Sequence, residues 1–372
     1  MKLTGVELRR VRIPLKAPFR TSFGTEHRRD VLLVRVEAAD SEGWAECVAM
    51  SEPSYSSEYV DAAADVLERF LVPRLTRLSR LTAETVGEAL APVKGHRMAK
   101  AAIEAAILDA QLRARDESLG SYLGAVKERV PAGVSVGITD GVPQLLDEVA
   151  GYLEAGYRRI KLKIKPGWDV EPVRAVRERF GDDLPLQVDA NAAYTLADAP
   201  HLTRLDEFGL LLVEQPLADD DLRQHATLSR LLKTPVCLDE SVTSATAAAD
   251  AIALGACRII NIKPGRVGGY LEARRIHDVC RAHGVAVWCG GMLETGIGRA
   301  ANVALAGLPG FTLPGDTSAS DRYYSTDLTE PFVLEDGHVA VPTGPGIGVR
   351  PLPEVLDELT TAVHWVETGQ RG

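Results

Sequence analysis

The chain has 372 residues, of which 45% are hydrophobic and 25% are charged, and its formal net charge is −10 at pH 7. This composition is typical of a globular protein, and the length allows two domains or one large barrel with additions. The acidic balance argues against nucleic-acid binding, which requires a basic surface, and no apolar run reaches the roughly 18 residues of a membrane-spanning helix. We therefore expect neither nucleic acid nor a membrane among the partners.

The cysteines and the first residues of the chain bear on the cellular compartment. Five cysteines are scattered along the sequence without a CxxC pair, which favours reduced thiols over disulfides or a zinc site. The opening sequence MKLTGVELRR lacks the apolar core of a signal peptide. The sequence thus predicts a cytoplasmic protein.

The first third of the chain predicts an α+β domain, which we place at residues 1–128. Three strand-like stretches, VELRRVRIPL, DVLLVRVEA and GWAECVAM, precede a helical pattern over residues 56–119. The tail at residues 326–372 has a strand-like segment, FVLEDGHVAV, but no further strand–helix unit. We expect this tail to pack back on the first domain.

Residues 129–325 alternate short apolar segments with amphipathic helical ones, such as VEPVRAVRERF and LEARRIHDVCRAHG. Such alternation predicts βαβ units with a parallel sheet. Eight predicted strands favour a (β/α) barrel, because the GxGxxG loop of a doubly wound sheet does not follow the first strand. The eight segments are 133–138, 159–164, 186–191, 211–216, 236–241, 258–264, 285–291 and 311–316.

One polar residue lies near the end of each of five consecutive predicted strands. These residues are Lys163, Asp189, Glu214, Asp239 and Lys263, and they are separated by 26, 25, 25 and 24 positions. The carboxyl ends of barrel strands carry the catalytic groups. The regular spacing therefore predicts one active site that contains all five.

The three acids, Asp189, Glu214 and Asp239, are predicted to bind one divalent cation. Neighbouring strands lie about 4.8 Å apart, so carboxylates on consecutive strands can reach one ion, and oxygen ligands without His or Cys favour Mg²⁺ or Mn²⁺ over zinc. The alternative is that each acid caps the next helix or pairs with a lysine. Asn191 and Glu240 are candidates to support the ligands, although helix capping explains both nearly as well.

Lys163 and Lys263 are candidates for the acid–base groups, because the second and sixth strands lie opposite each other in an eight-stranded barrel. In the segment KLKIK the side chains alternate, so Lys161 shares a face with Lys163. We expect the charges of Lys161 and of the cation to lower the pKa of Lys163, which allows it to act as a base. The alternative is an ordinary half-buried strand with a solvated face.

These residues predict abstraction of a proton α to the carboxylate of a small molecule, through an enediolate. The site can then return a proton to the other face, which is racemisation, or expel a β-leaving group, which is dehydration. The alternative is a non-catalytic binding barrel. It would explain the fold, but it would not explain why five polar residues occur at the same position in successive strand–helix units.

The chain resembles the enolase superfamily, and within it the muconate-lactonizing subgroup. The motifs that carry the resemblance are PFRTSFG, GWAECV, KLKIKPGWD, QVDAN, EQPL, CLDES, NIKPGRVGGY, WCGGMLETGIGRAAN and LPGDTSASDRYY. They are most similar to the o-succinylbenzoate synthase and N-acylamino acid (N-succinylamino acid) racemase family. The resemblance implies a modified (β/α)7β barrel with an N-terminal α+β capping domain, the acid–base pair Lys163 and Lys263, Mg²⁺ at Asp189, Glu214 and Asp239, and a homo-oligomer.

For the reaction, the resemblance implies two activities, alone or together. One dehydrates 2-succinyl-6-hydroxy-2,4-cyclohexadiene-1-carboxylate to 2-succinylbenzoate, a menaquinone precursor, and the other racemises N-acylamino acids. A dipeptide epimerase or a cycloisomerase of the same subgroup is the alternative. Dipeptide epimerases carry Asp-x-Asp at the eighth strand, where this chain reads GDTSAS, and a mandelate-racemase site needs a histidine near the end of the seventh strand, which His283 precedes.

In this family, two loops of the capping domain and the last barrel loops shape the substrate pocket. The pocket candidates are Phe19, Met50, Tyr55, Ser135, Gly291, Met292, Leu293, Asp316 and Ser318. Packing between the two domains explains Phe19, Met50 and Tyr55 equally well from the sequence alone.

Overall fold

The computed structural model describes residues 1–368 of the chain. It contains a capping domain on an antiparallel sheet and a second domain on a parallel sheet, as the sequence predicts. Within the described residues, no helix is both long enough and apolar enough to cross a membrane.

The strands and helices follow in chain order. The strands are β1 (Leu3–Arg20), β2 (Thr25–Ala38), β3 (Ser41–Cys47), β4 (Arg129–Pro131), β5 (Gly133–Val136), β6 (Arg159–Lys163), β7 (Leu186–Asp189), β8 (Val213–Glu214), β9 (Val236–Leu238), β10 (Ile259–Ile262), β11 (Ala286–Cys289), β12 (His338–Ala340) and β13 (Thr360–Glu367). The α-helices are α1 (Val60–Val66), α2 (Val72–Leu75), α3 (Ala83–Leu90), α4 (Arg97–Arg113), α5 (Leu119–Leu123), α6 (Val142–Glu154), α7 (Val170–Phe180), α8 (Ala199–Leu202), α9 (Leu222–Leu231), α10 (Ala245–Leu254), α11 (Pro264–Val267), α12 (Tyr270–Ala282), α13 (Gly296–Ala306) and α14 (Pro353–Leu359). A π-helical turn (Leu67–Leu71) joins α1 to α2, and 3-10 turns lie at Leu196–Asp198, Thr203–Phe208 and Ser320–Arg322.

The capping domain packs its sheet, in the order β13-β1-β2-β3, against α4. The alanine-rich α4 is buried on most of its surface because it lies between this sheet and α11 of the second domain. β3 approaches α4 very closely at Gly43, where an added Cβ would lie 2.1 Å from the Ala106 carbonyl oxygen. Only a glycine permits this contact, which packs β3 directly on α4 within the capping domain.

The second domain curls its parallel strands in the order β5-β6-β7-β8-β9-β10-β11. The eighth predicted strand, 311–316, is not a regular strand. It makes isolated bridges, Phe311 with Val287 of β11 and Gly315 with Ala132 beside β5, and so runs between the two ends of the sheet. Pro314 has no N–H to donate, which prevents a continuous ladder there.

The tail contacts both domains. β12 pairs antiparallel with β4 at the start of the second domain, and β13 pairs antiparallel with β1 at the edge of the capping sheet. Residues 369–372 of the predicted tail lie outside the described residues.

Candidate active site

The carboxyl ends of β6 to β10 bring the five predicted residues to one end of the parallel sheet. Lys163, Asp189 and Glu214 are the last residues of β6, β7 and β8, and the register sets each beside the next. Asp239 and Lys263 directly follow β9 and β10. All five residues are buried, with exposures of 8% or less.

Each strand-end carboxylate lies against a lysine. Lys163 Nζ is 2.6 Å from Asp189 Oδ2, and Lys263 Nζ is 2.6 Å from Asp239 Oδ2. An unpaired ion is costly at such burial, so these pairs hold the side chains of the site in place.

The ammonium of Lys161 is paired with three carboxylates. Its ammonium lies 2.6 Å from Asp316, 3.1 Å from Glu214 and 3.5 Å from Asp189. Burial lowers the pKa of Lys161, but the three carboxylates outweigh burial and raise it. Lys161 therefore acts here as a fixed positive charge between acids.

Lys263 is enclosed by groups from both domains. Its ammonium donates to the Tyr55 hydroxyl at 3.3 Å, and that hydroxyl donates to Asp239 Oδ1 at 3.1 Å. Burial lowers the pKa of Lys263, but the Tyr55 oxygen that accepts from it and the carboxylates of Glu240, Glu214 and Asp189 outweigh burial and raise it. Lys263 is thus protonated in this arrangement, which is the form that a proton donor requires.

Asn191 and Glu240 extend the network beside Lys163. The Asn191 amide oxygen accepts from Lys163 at 2.7 Å, and its amide nitrogen donates to Glu240 Oε1 at 2.9 Å. The other Glu240 oxygen is buried without a hydrogen-bond partner in the described chain. Burial and the charge of Asp189 raise the pKa of Glu240 to about 7.

The carboxylates suit a hard divalent cation by chemistry, but as placed they bind lysines. Within residues 1–368, no three His, Cys, Asp or Glu side chains are spaced as metal ligands. Asp189, Glu214 and Asp239 nevertheless stand at the ends of adjacent strands and offer only oxygen donors, and the unpartnered Glu240 oxygen lies beside them. Burial and the charge of Asp189 raise the pKa of Glu214, a repulsion that a cation would relieve.

A cavity of about 200 Å³ lies above these residues, between the capping domain and the barrel. Lys161, Lys163, Asn191 and Lys263 form its polar floor. Eight of the nine pocket candidates line it: Phe19, Met50, Tyr55, Ser135, Gly291, Met292, Leu293 and Asp316. Ser318 does not, contrary to the prediction, because it faces the protein interior, where its carbonyl and hydroxyl oxygens accept from Arg299.

Two residues that the sequence reasoning missed lie on the same strand faces as the lysines. Arg159 lies 2.9 Å from Asp316 Oδ1, and Asn261 donates to Glu214 Oε1 at 2.6 Å. Both lie two positions before a strand-face lysine. The period-2 alternation could therefore have identified them.

Strand alternation could not have identified Arg266 and Gln215, because each lies in a segment that follows a strand. Arg266, in α11, forms a buried ion pair with Asp239 and donates to the Val242 carbonyl. Gln215 has a φ of 35°, and its side-chain oxygen accepts from the Asp239 backbone N–H at 3.0 Å. Together they hold both the carboxylate and the backbone of Asp239.

The two domains match two family models. Residues 3–124 match "Mandelate racemase / muconate lactonizing enzyme, N-terminal domain", and residues 144–355 match "Enolase C-terminal domain-like". The chain belongs to the enolase superfamily. A solved structure of an enolase superfamily member from Listeria innocua aligns with a TM-score of 0.95 and 38% identity over 99% of this chain and 100% of that one.

Two of the similar superfamily proteins are enzymes with different names. An N-succinylamino acid racemase from Amycolatopsis sp is 68% identical over 366 residues, which cover 98% of this chain and 100% of the relative. An o-succinylbenzoate synthase from Geobacillus kaustophilus is 51% identical over 345 residues, which cover 92% of each chain. The predicted family is confirmed, and this superfamily member is an enzyme.

Proposed function

We propose that the enzyme removes the proton α to the carboxylate of a small substrate, through an enediolate, with a divalent cation at Asp189, Glu214 and Asp239. Its reaction is racemisation of N-acylamino acids, dehydration of 2-succinyl-6-hydroxy-2,4-cyclohexadiene-1-carboxylate to 2-succinylbenzoate, or both. One observation carries the proposal. Lys163 and Lys263 line the same cavity from β6 and from the end of β10, and the three carboxylate-bearing strand ends lie between them.

Both substrates fit one pocket by their chemistry. Each presents a carboxylate beside an acidic C–H and carries a succinyl arm or a similar acyl group. The names of the relatives support both reactions, since the 68% identical protein is a racemase and the 51% identical one is a synthase.

In racemisation, the two lysines divide the proton transfers. The lysine that is deprotonated removes the α-proton from one face, and the protonated lysine on the other face donates a proton to the same carbon. The lysines then exchange their protonation states, and proton exchange with solvent resets them. When bound at the three carboxylates, a divalent cation such as Mg²⁺ or Mn²⁺ supplies positive charge that stabilises the enediolate.

In dehydration, one face suffices. Lys163 removes the α-proton and returns it to the departing hydroxyl group, which leaves as water. Lys263 remains protonated and stabilises the negative charge of the enediolate. The raised pKa of Lys263, which the surrounding carboxylates cause against the effect of burial, supports this role.

The geometry at Asp316 argues against a dipeptide epimerase. Such enzymes carry Asp-x-Asp at this place, whereas Asp316 is followed by Thr317 and Ser318. The Asp316 carboxylate is also occupied, since it lies 2.9 Å from Arg159 and 2.6 Å from Lys161.

Hydrogen exchange of the substrate tests the assignment of the lysines. In D₂O with an N-acylamino acid, the wild type is expected to racemise the substrate and incorporate deuterium into both enantiomers. Lys163→Ala is expected to lose exchange in one enantiomer, because no base remains on that face, and Lys263→Ala in the other. Proton NMR of each enantiomer measures the exchange.

Lys165→Ala is the matched control, because Lys165 continues the lysine alternation but does not line the cavity. We expect the Lys165→Ala variant to catalyse deuterium exchange in both enantiomers. Equal exchange of both enantiomers in each of the Lys163 and Lys263 variants would show that the two-face assignment is wrong.

A further inference from the structure

A segment of the capping domain at the tip of the β1–β2 hairpin separates the active-site cavity from an outer groove. The groove has a volume of about 570 Å³, and Phe19 and Thr25 line both spaces. Arg322, the last residue of the 3-10 turn Ser320–Arg322, and Tyr152 of α6 also line the groove. An extended substrate that passes Phe19 would therefore enter the groove.

Arg322 is a half-buried cation among aromatic rings. Its guanidinium carbon lies 5.7 Å from the ring centroid of Phe19, 4.8 Å from that of Tyr152 and 4.6 Å from that of Tyr323. Nη2 donates to the Ser135 carbonyl at 2.7 Å, but Nε is buried without a hydrogen-bond partner in the described chain.

Arg322 is also close to the catalytic floor. Ser135, which accepts its hydrogen bond, pairs in register with Lys161 and lines the active-site cavity. Phe19 and Tyr323, which flank the guanidinium, line the same cavity. The positive charge thus lies just behind the wall of the site.

Among residues 1–368, no carboxylate lies within ion-pair distance of Arg322, whereas the other charged groups of the groove have partners. Arg20 lies 3.4 Å from Asp140, and Glu148 accepts from Gln144 at 3.0 Å. Cation–π contacts offset only part of the cost of burying a guanidinium, so its free N–H favours an anionic ligand.

We propose that Arg322 binds the terminal carboxylate of an N-succinyl arm of the substrate. The inference rests on the proposed function, which sets the α-carbon between Lys163 and Lys263. A succinyl group reaches roughly 5 Å beyond the amide nitrogen, since each of its bonds spans about 1.3–1.5 Å. The subsite selects dicarboxylate substrates over N-acetyl ones through a charge-assisted hydrogen bond.

The test changes the arm of the substrate and the arginine together. The N-succinyl, N-succinamoyl and N-acetyl derivatives of one amino acid are compared by kcat/KM for racemisation; the succinamoyl arm replaces the terminal carboxylate with a neutral amide. Arg322→Gln, which can still donate to the Ser135 carbonyl, is expected to lower kcat/KM for the N-succinyl substrate roughly 10- to 100-fold. The kcat/KM values for the substrates with the two neutral arms are expected to change little.

Arg20→Met is the matched control, because that arginine lines the same groove but is already paired with Asp140. We expect it to keep the wild-type preference for the charged arm. Arg322→Met serves as a second neutral variant, and circular dichroism establishes that each variant is folded.

Two results would overturn the subsite. The first is that the wild type does not prefer the N-succinyl substrate over the N-succinamoyl one. The second is an equal loss of kcat/KM for all three substrates in the Arg322 variants, which would mean that Arg322 only holds Phe19 in place. Calorimetric binding of the same compounds separates this from failure of the proposed function. Preferential binding of the charged arm, lost in Arg322→Gln, supports the subsite even without turnover, whereas turnover without that preference refutes the subsite alone.

Discussion

At the residue scale, the buried charges of the site are arranged in pairs of opposite sign. Asp189 is held by Lys163, and Asp239 is held by Lys263 and Arg266. Burial raises the pKa of Asp189, but its lysines outweigh burial and lower it, so this carboxylate is ionised and available to a cation. During turnover, each carboxylate can pair either with its lysine or with a cation.

Removal of a predicted metal ligand tests this point. Asp189→Ala, Glu214→Ala or Asp239→Ala is expected to lower kcat/KM by roughly a thousandfold or more, because a cation supplies several kcal/mol of charge stabilisation in such reactions. EDTA is expected to inactivate the wild type, and Mg²⁺ or Mn²⁺ to restore it. Asp220→Ala, an exposed acid after β8, serves as the active control.

Full activity in chelated wild-type enzyme would contradict a metal role for the three carboxylates. Loss of folding in all three variants, measured by circular dichroism, would instead indicate that the acids serve as structural partners of the lysines.

At the element scale, the side chain of Asn261 in β10 fills the space beside Gly290 at the end of β11, so no side chain fits at position 290. Gly290 directly follows β11, and a Cβ on it would lie 2.3 Å from the Asn261 side-chain oxygen. Asn261 donates to Glu214 at 2.6 Å, so the space left by Gly290 lets Asn261 position a predicted metal ligand.

Gly290→Ala is therefore expected to lower the free energy of unfolding by about 1–3 kcal/mol, because the new methyl group overpacks the site. It should also reduce activity, since Asn261 must move away from Glu214. Urea denaturation and kcat/KM measure the two effects. Gly151→Ala in α6, where a Cβ would meet nothing within 4 Å, is the control and is expected to gain up to about 1 kcal/mol. Wild-type stability and kcat/KM in Gly290→Ala would show that Asn261 leaves room for a side chain at this position.

At the scale of the whole molecule, Glu46 joins the two domains. It extends from β3 of the cap, and its Oε2 accepts from the Thr295 backbone at 3.0 Å, the Thr295 hydroxyl at 2.7 Å and the Gly298 backbone at 3.3 Å. These donors lie at the N-terminus of α13 in the second domain. Burial and the charge of Glu294 raise the pKa of Glu46 to about 8.

This pKa predicts a pH-dependent stability. Because the folded pKa of Glu46 lies above its ordinary value of 4.5, the folded protein keeps a proton that the unfolded chain loses. The stability from this proton is complete below about pH 4.5 and is lost as the pH rises through about 8. Glu46→Gln is therefore expected to flatten the fall in Tm between about pH 5 and about pH 8.5.

Differential scanning calorimetry at several pH values checks this expectation. Glu354→Gln, on an exposed part of α14, is the control and is expected to keep the wild-type slope. An unchanged slope in Glu46→Gln would show that Glu46 does not titrate in this range.

The sequence by itself determined the parallel-sheet domain and the strand ends that face one site. The reason is local: each strand–helix unit takes a nearly constant length of chain, and alternation along a strand sets the face of each side chain. Lys163, Asp189 and Glu214 were found in this way, and Arg159 could have been.

Only the tertiary structure decided which distant residues meet. Tyr55 reaches Asp239 across 184 positions, and Lys161 meets Asp316 across 155. The inward turn of Ser318 could not be read from local pattern either. Such contacts depend on how the two domains and the sheet ends pack, and neither the period of a strand nor the charge of a residue contains that information.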